Sequence, residues 1–225
     1  MTSEPEVFII ESLDFDDEEN ERFEGRIISK ILALSGKHCE YYYIRTKREL
    51  GEVLKRFASS GYRYLHLSCH GSGTSMHTTL DEIPFRDLGA LLKPYLRERR
   101  LFVSACSMVN DALARVLMPG SGCYSILGPH EEVRFSDAAI LWAAFYHAMF
   151  TDDSTAMKRA DLKIKAMELA DLFGVRLNVF AASSSSARGY TRTDLHPEER
   201  PNKQLQEATW QGRHDKGVKA RRGSG

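Results

Sequence analysis

A histidine and a cysteine, each just past the end of an apolar run, are the residues of this sequence best suited to chemistry. The run YRYLHLS leads into Cys69-His70-Gly71, and RRLFVSA leads into Cys106. Both runs have the length and make-up of buried strands. As parallel neighbours in one sheet they deliver His70 and Cys106 to the same carboxyl-end edge, where open α/β sheets place their sites. A thiol near neutral pH is only a few per cent thiolate, so an adjacent imidazole must take its proton or hold the ion pair. The pair therefore points to a cysteine nucleophile with His70 as its base. Acyl transfer also needs donors aimed at the developing oxyanion, and the backbone N–H groups of Gly71 and Cys106 are the expected ones.

Plainer readings apply to the neighbouring residues. Cys69 alternates to the opposite side of the strand from His70 and reads as core, and His66 reads as a core or interface histidine. His77 and His130 fall in loops and read as solvated. The four cysteines, Cys39, Cys69, Cys106 and Cys123, lack paired metal spacing, so reduced thiols and no metal are expected. A cysteine phosphatase needs an Arg six residues after its Cys, but position 112 is Ala and the first Arg is Arg115. No GxGxxG or GxxxxGK[ST] stretch supports nucleotide binding. No convincing third catalytic residue stands out, so a backbone carbonyl is the expected partner for His70.

Alternating strands and helices must hold this pair. Val7 to Ile10 reads as a strand, and the acidic stretch Asp14 to Glu21 starts a helix that runs to about Leu34, with Phe23, Ile27, Ile31 and Leu34 on one face. Cys39 to Ile44 is the next strand. Thr46 and Glu49 then form a capping box ahead of a helix that points Leu50, Val53, Leu54 and Phe57 inward. After His70, Ser75 to Pro84 reads as a loop or small hairpin at the rim of the site. Asp87 caps the next helix, which Pro94 kinks or splits. Beyond Cys106 come a helix around Ala112 to Leu117, a strand at Cys123 to Leu127, and an apolar helix from Asp137 to Phe150 capped by Ser136. A helix from about Thr155 to Phe173 and a strand at Val175 to Ala181 complete the order. This predicts a three-layer α/β domain with a mostly parallel sheet of about six strands and helices on both faces.

The strings YLHLSCHGSG and LFVSACS, with Cys106 following His70 by 36 positions, resemble the caspase-like cysteine peptidases. The branch most similar is the CHAT domains, with separases as more distant relatives. ALARVLMPGSGCYSILG and SDAAILWAAFYHAMF also resemble the CHAT pattern, and the resemblance spans roughly Val7 to Ala182. It implies a caspase-like fold and peptide-bond hydrolysis through a thioester, with protein or peptide substrates and no cofactor. It further implies activation by a separate partner or a small-molecule signal, in a bacterial defence or stress pathway. In such relatives an acidic residue near the start of the helix after the fourth main strand lines the pocket for the residue before the scissile bond. Asp137 matches that position best and Glu132 second, implying cleavage after Arg or Lys. No arginine cluster like the one with which caspases recognise aspartate can be assigned. The alternative function is a catalytically silent caspase-like scaffold that binds a partner.

With 225 residues, 42% of them hydrophobic, the chain can bury a sizeable core. No run reaches transmembrane length, and MTSEPEV lacks the pattern of a signal peptide, so a cytoplasmic protein without membrane partners is expected. Lys and Arg balance Asp and Glu at 31 each, which argues against a dedicated nucleic-acid binder. The peptidase domain is expected over residues 1–183. Residues 184–225, polar and without periodicity, read as a disordered tail with Trp210 as its one large anchor.

Overall fold

The computed structural model describes residues 4–197. Ten strands and seven helices alternate along it: β1 (Glu4–Glu11), α1 (Phe15–Glu19), α2 (Glu24–Leu34), β2 (Cys39–Tyr43), α3 (Lys47–Ser60), β3 (Tyr62–Ser68), β4 (His70–Gly71), β5 (Ser75–His77), β6 (Glu82–Pro84), α4 (Phe85–Leu92), β7 (Arg100–Ser104), α5 (Asp111–Leu117), β8 (Ser125–Pro129), α6 (Phe135–Asp152), α7 (Arg159–Phe173), β9 (Leu177–Ala182) and β10 (Tyr190–Leu195). Seven of the strands form the main sheet in the order β10-β9-β8-β7-β3-β1-β2, while β4, β5 and β6 form a small antiparallel sheet. The pairs from β2 to β8 are parallel, and β9 and β10 add antiparallel strands at one edge.

Strand alternation divides the core in two. On β1, Phe8 and Ile10 join Leu50, Leu54 and Phe57 of α3 and Leu88 of α4 on one side. Val7 and Ile9 join Ile28 of α2, Trp142 of α6 and Leu162 of α7 on the other. Side chains two residues apart on a strand share a face, so one buried strand feeds both helical layers. The expected helices on both faces of a mostly parallel sheet are present, with seven strands rather than about six.

Three local expectations need correction. The acidic stretch does not run on into one long helix. Asn20 caps α1, Glu21 takes a left-handed φ of 53°, and α2 starts afresh at Glu24. The restart changes the helical phase: Gly25, Ile28 and Leu32 face inward, while Leu34 is 85% exposed. Helices α4 and α6 begin at Phe85 and Phe135, so Asp87 and Ser136 lie in their first turns instead of capping them. The tail read as disordered from residue 184 contributes β10, which buries Tyr190 and Leu195 against the sheet. The rest of that tail, with Trp210, lies outside the described residues.

The capping box at Thr46 and Glu49 forms as expected. Pro94 sits in a short 3₁₀ turn, Lys93–Tyr95, where α4 ends.

Candidate functional site

Parallel pairing of β3 with β7 aligns Ser68 with Ser104, and the Cys69 amide extends the ladder to the Ser104 carbonyl at 3.0 Å. The two strands therefore end together, and His70 and Cys106 line one cavity of about 360 Å³ at their carboxyl edge. Both residues are partly exposed, in contrast to the core reading that holds for Cys69, which is buried. Burial also pushes the Cys69 thiol far up. His66 is fully buried, bonded through Nδ1 to the Tyr146 hydroxyl at 3.0 Å.

The loops that carry the pair are fixed to one another. A Cβ on Gly71 would overlap the Met108 side chain, so glycine is what lets β4 lie against the loop after Cys106. Asn110 caps α5 with its Oδ1, accepting from Ala112 N at 2.9 Å and Leu113 N at 3.1 Å. Its Nδ2 donates to the carbonyls of Gly73 and Ser107, both at 2.9 Å, and so joins the loop after His70 to the loop after Cys106. Ser107 has a left-handed φ of 59°, a conformation unfavourable for a residue other than glycine, directly after Cys106. The Val133 amide lies 3.5 Å from Cys106 Sγ and donates to it.

A third residue that the sequence did not single out completes the arrangement. His70 Nε2 lies 2.6 Å from Asp17 Oδ2, and Arg22 holds Asp17 Oδ1 at 2.8 Å. Asp17 is only 5% exposed, whereas Asp14, 3.5 Å from the same histidine nitrogen, is open to solvent. A carboxylate only accepts, so the ring hydrogen sits on Nε2 and the lone pair on Nδ1 is left to take a proton. The available signal was Asp14, which caps α1 by accepting from the Asp17 amide at 2.8 Å. Within the acidic stretch Asp14 to Glu21, Asp17 is the buried carboxylate.

The cavity has both acidic and apolar lining: Asp14, Asp16, Asp17 and Glu24 on the one hand, Val133, Phe135 and Ala138 on the other. The residues expected to supply its charge are not among those lining it. Asp137 follows the lining residue Phe135 by two positions on α6, and its carboxylate is turned towards Arg134 at 3.8 Å. Glu132 is exposed, while its neighbour Val133 lines the cavity and contacts Cys106 Sγ through its amide. Glu24 enters instead, placed by Gly25, where a Cβ would come within 2.8 Å of Ile9 Cγ2 and push α2 off the sheet.

The hairpin of β5 and β6 forms the rim beyond His70, as the sequence suggested, and a second groove runs between it and His70. Asp14, His70 and Asp17 bring three possible ligand atoms within 4.8 Å of one another, although Nε2 is already bonded to Asp17.

No family model matches this sequence. No curated protein matches it either. Among solved structures it is similar to a secreted C11 cysteine protease from Bacteroides thetaiotaomicron in complex with an irreversible peptide inhibitor, at a TM-score of 0.51 and 12% identity over 79% of this chain and 66% of that one. It is also similar to caspase-1 from Spodoptera frugiperda, at a TM-score of 0.51 and 13% identity over 86% of this chain and 87% of that one. The chain thus spans about two thirds of the length of the bacterial protease. The fold is caspase-like. Among the described residues no helix is long and apolar enough to cross a membrane.

Proposed function

We propose that this chain is a cysteine endopeptidase of the caspase-like, CHAT type, cleaving protein or peptide substrates after Arg or Lys. What carries the reading is one arrangement: Cys106 and His70 share a cavity, and Asp17 holds Nε2 of that histidine at 2.6 Å. Cys106 Sγ attacks the scissile carbonyl while its proton passes to His70 Nδ1. The tetrahedral oxyanion takes hydrogen bonds from the N–H groups of Gly71 and Cys106. Collapse breaks the C–N bond, His70 returns the proton to the leaving amine, and a thioester remains. Water then attacks the thioester with His70 again accepting the proton, releasing the acid and the thiol. Asp17 takes no proton; it fixes the tautomer and supports the imidazolium between steps.

The carboxylates lining the cavity support a basic residue before the scissile bond. The reading extends to a cytoplasmic enzyme in bacterial antiviral defence, held inactive until a partner protein or small-molecule signal engages it. A peptide library varied at the residue before the scissile bond tests this, with and without candidate activators. Cleavage after Arg or Lys that disappears in Cys106→Ala is the expected result. Cleavage that persists in Cys106→Ala would exclude the mechanism, and a wild type inert towards every peptide and activator would favour a binding scaffold.

A further inference from the structure

We propose that Glu24 is the specificity-determining residue, its free carboxylate oxygen receiving the cationic end of a Lys or Arg side chain whose carbonyl Cys106 attacks. The assignment rests on the peptidase reading of Cys106 and deepens it. Glu24 is 2% exposed, yet it lines the same cavity as Cys106. Its Oε2 accepts from Ser104 Oγ at 2.9 Å, and its Oε1 has no hydrogen-bond partner. The polar atom that faces Oε1 is His66 Nε2 at 3.4 Å, close enough for an ion pair but without the alignment of a hydrogen bond, and it too is unpartnered.

A buried carboxylate oxygen without a donor is costly, and the cost is recovered when a ligand brings the donor. Among the described residues no Lys or Arg forms an ion pair with Glu24, and Arg22, the basic residue of the cavity, is engaged by Asp17. Asp14 and Asp16, the exposed carboxylates of the lining, add negative charge, which repels an acidic ligand. The apolar lining residues Val133, Phe135 and Ala138 suit the methylene stem that Lys and Arg carry below their charged ends. Ser104, which orients Glu24, stands two residues before Cys106, so the pocket opens beside the nucleophile. The ligand class is therefore an alkyl ammonium or guanidinium, and the residue held is the one being cleaved.

Binding, read independently of turnover, tests the assignment. The full chain carrying Cys106→Ala is titrated by NMR with N-acetyl-lysine, N-acetyl-arginine and N-acetyl-norleucine methylamides. The two cationic ligands are expected to shift the amides of Gly25 and Ala105 and to bind at least about tenfold more tightly than norleucine, a preference that Glu24→Gln abolishes. Asp137→Asn, which removes only the Arg134 ion pair, is expected to leave the affinities within about twofold. Norleucine binding as tightly as lysine in the chain that retains Glu24 would overturn the proposal, whatever the Gln variant does to folding. A cationic preference that survives in a folded Glu24→Gln chain would overturn it as well. Glu24-dependent binding without cleavage of Arg or Lys peptides by the Cys106 chain, with every candidate activator present, would leave the pocket standing and remove the peptidase. Cysteine-dependent cleavage after uncharged residues would do the reverse.

Discussion

Two buried glutamates, separated by one turn of chain and one short helix, have opposite surroundings. Glu11, at the end of β1, is fully enclosed: its oxygens accept from the Gly25 amide at 2.7 Å, the Tyr41 hydroxyl at 2.7 Å and the Ser68 hydroxyl at 3.3 Å. Glu24 leaves one oxygen without a donor, and that residue lines the cavity. The closed region joins α2 to three strands, while the open one offers an unmet charge next to a cysteine. Burial of a carboxylate is therefore not itself a mark of function. The mark is a buried group left incomplete where a ligand can reach it.

If the comparison is sound, the largest effects come from the open region. Cys106→Ala and His70→Ala are each expected to lower kcat/KM by about 10³-fold or more, with thermal stability changed little. Loss of folding in either variant would mean that these residues serve the core instead. Asp17→Asn is next, with a fall in kcat of about 10²-fold at nearly constant KM, because it disturbs the tautomer and not the substrate's grip. Asp17→Glu should restore part of the rate, and a matched rise in KM would contradict the positioning role.

In the closed region the effect falls on stability. Glu11→Gln is expected to cost about 1–2 kcal/mol by chemical denaturation while cleavage persists. Burial raises the Glu11 carboxyl above its ordinary 4.5, so the folded state holds its proton more tightly than the unfolded state does. This contribution favours folding most below pH 4.5 and is lost as pH rises through the folded value. Glu11→Gln should remove that slope from the pH dependence of unfolding. An unchanged slope would show that another group produces it.

The smallest expected difference separates the thiols. Burial pushes Cys39 and Cys123 each up to about 12, and Cys69 higher still. Brief alkylation of the native chain at pH 8 should therefore modify Cys106 before the other three, by peptide mass mapping. Equal labelling of all four would remove the contrast between core and site.

The layered fold was legible because its signals are local. The short apolar runs of β1 and β3 and the Thr46 capping box all act within a few residues. The meeting of His70 and Cys106 was legible too, since parallel strands of similar length end at one edge. Asp17 and Glu24 were not. Their roles depend on the left-handed break at Glu21, which turns one acidic run into a cap, a histidine partner and a cavity wall. Asp137 was favoured by the resemblance to CHAT and separase relatives, but its carboxylate lies 3.8 Å from Arg134 and it does not line the cavity. Strand β10 was missed because YTRTDL alternates without a strong apolar face, and its pairing with β9 supplies what the pattern lacks.

The central claim is that Cys106 is a nucleophile assisted by His70, and reaction with a peptidyl ketone ending in arginine, read by intact mass and peptide mapping, tests it most directly. The expected result is one adduct, on Cys106, formed by the native chain with its activator and slowed at least about 10²-fold in His70→Ala. An adduct on Cys39, Cys69 or Cys123, or a Cys106 adduct formed equally fast without His70, would contradict it.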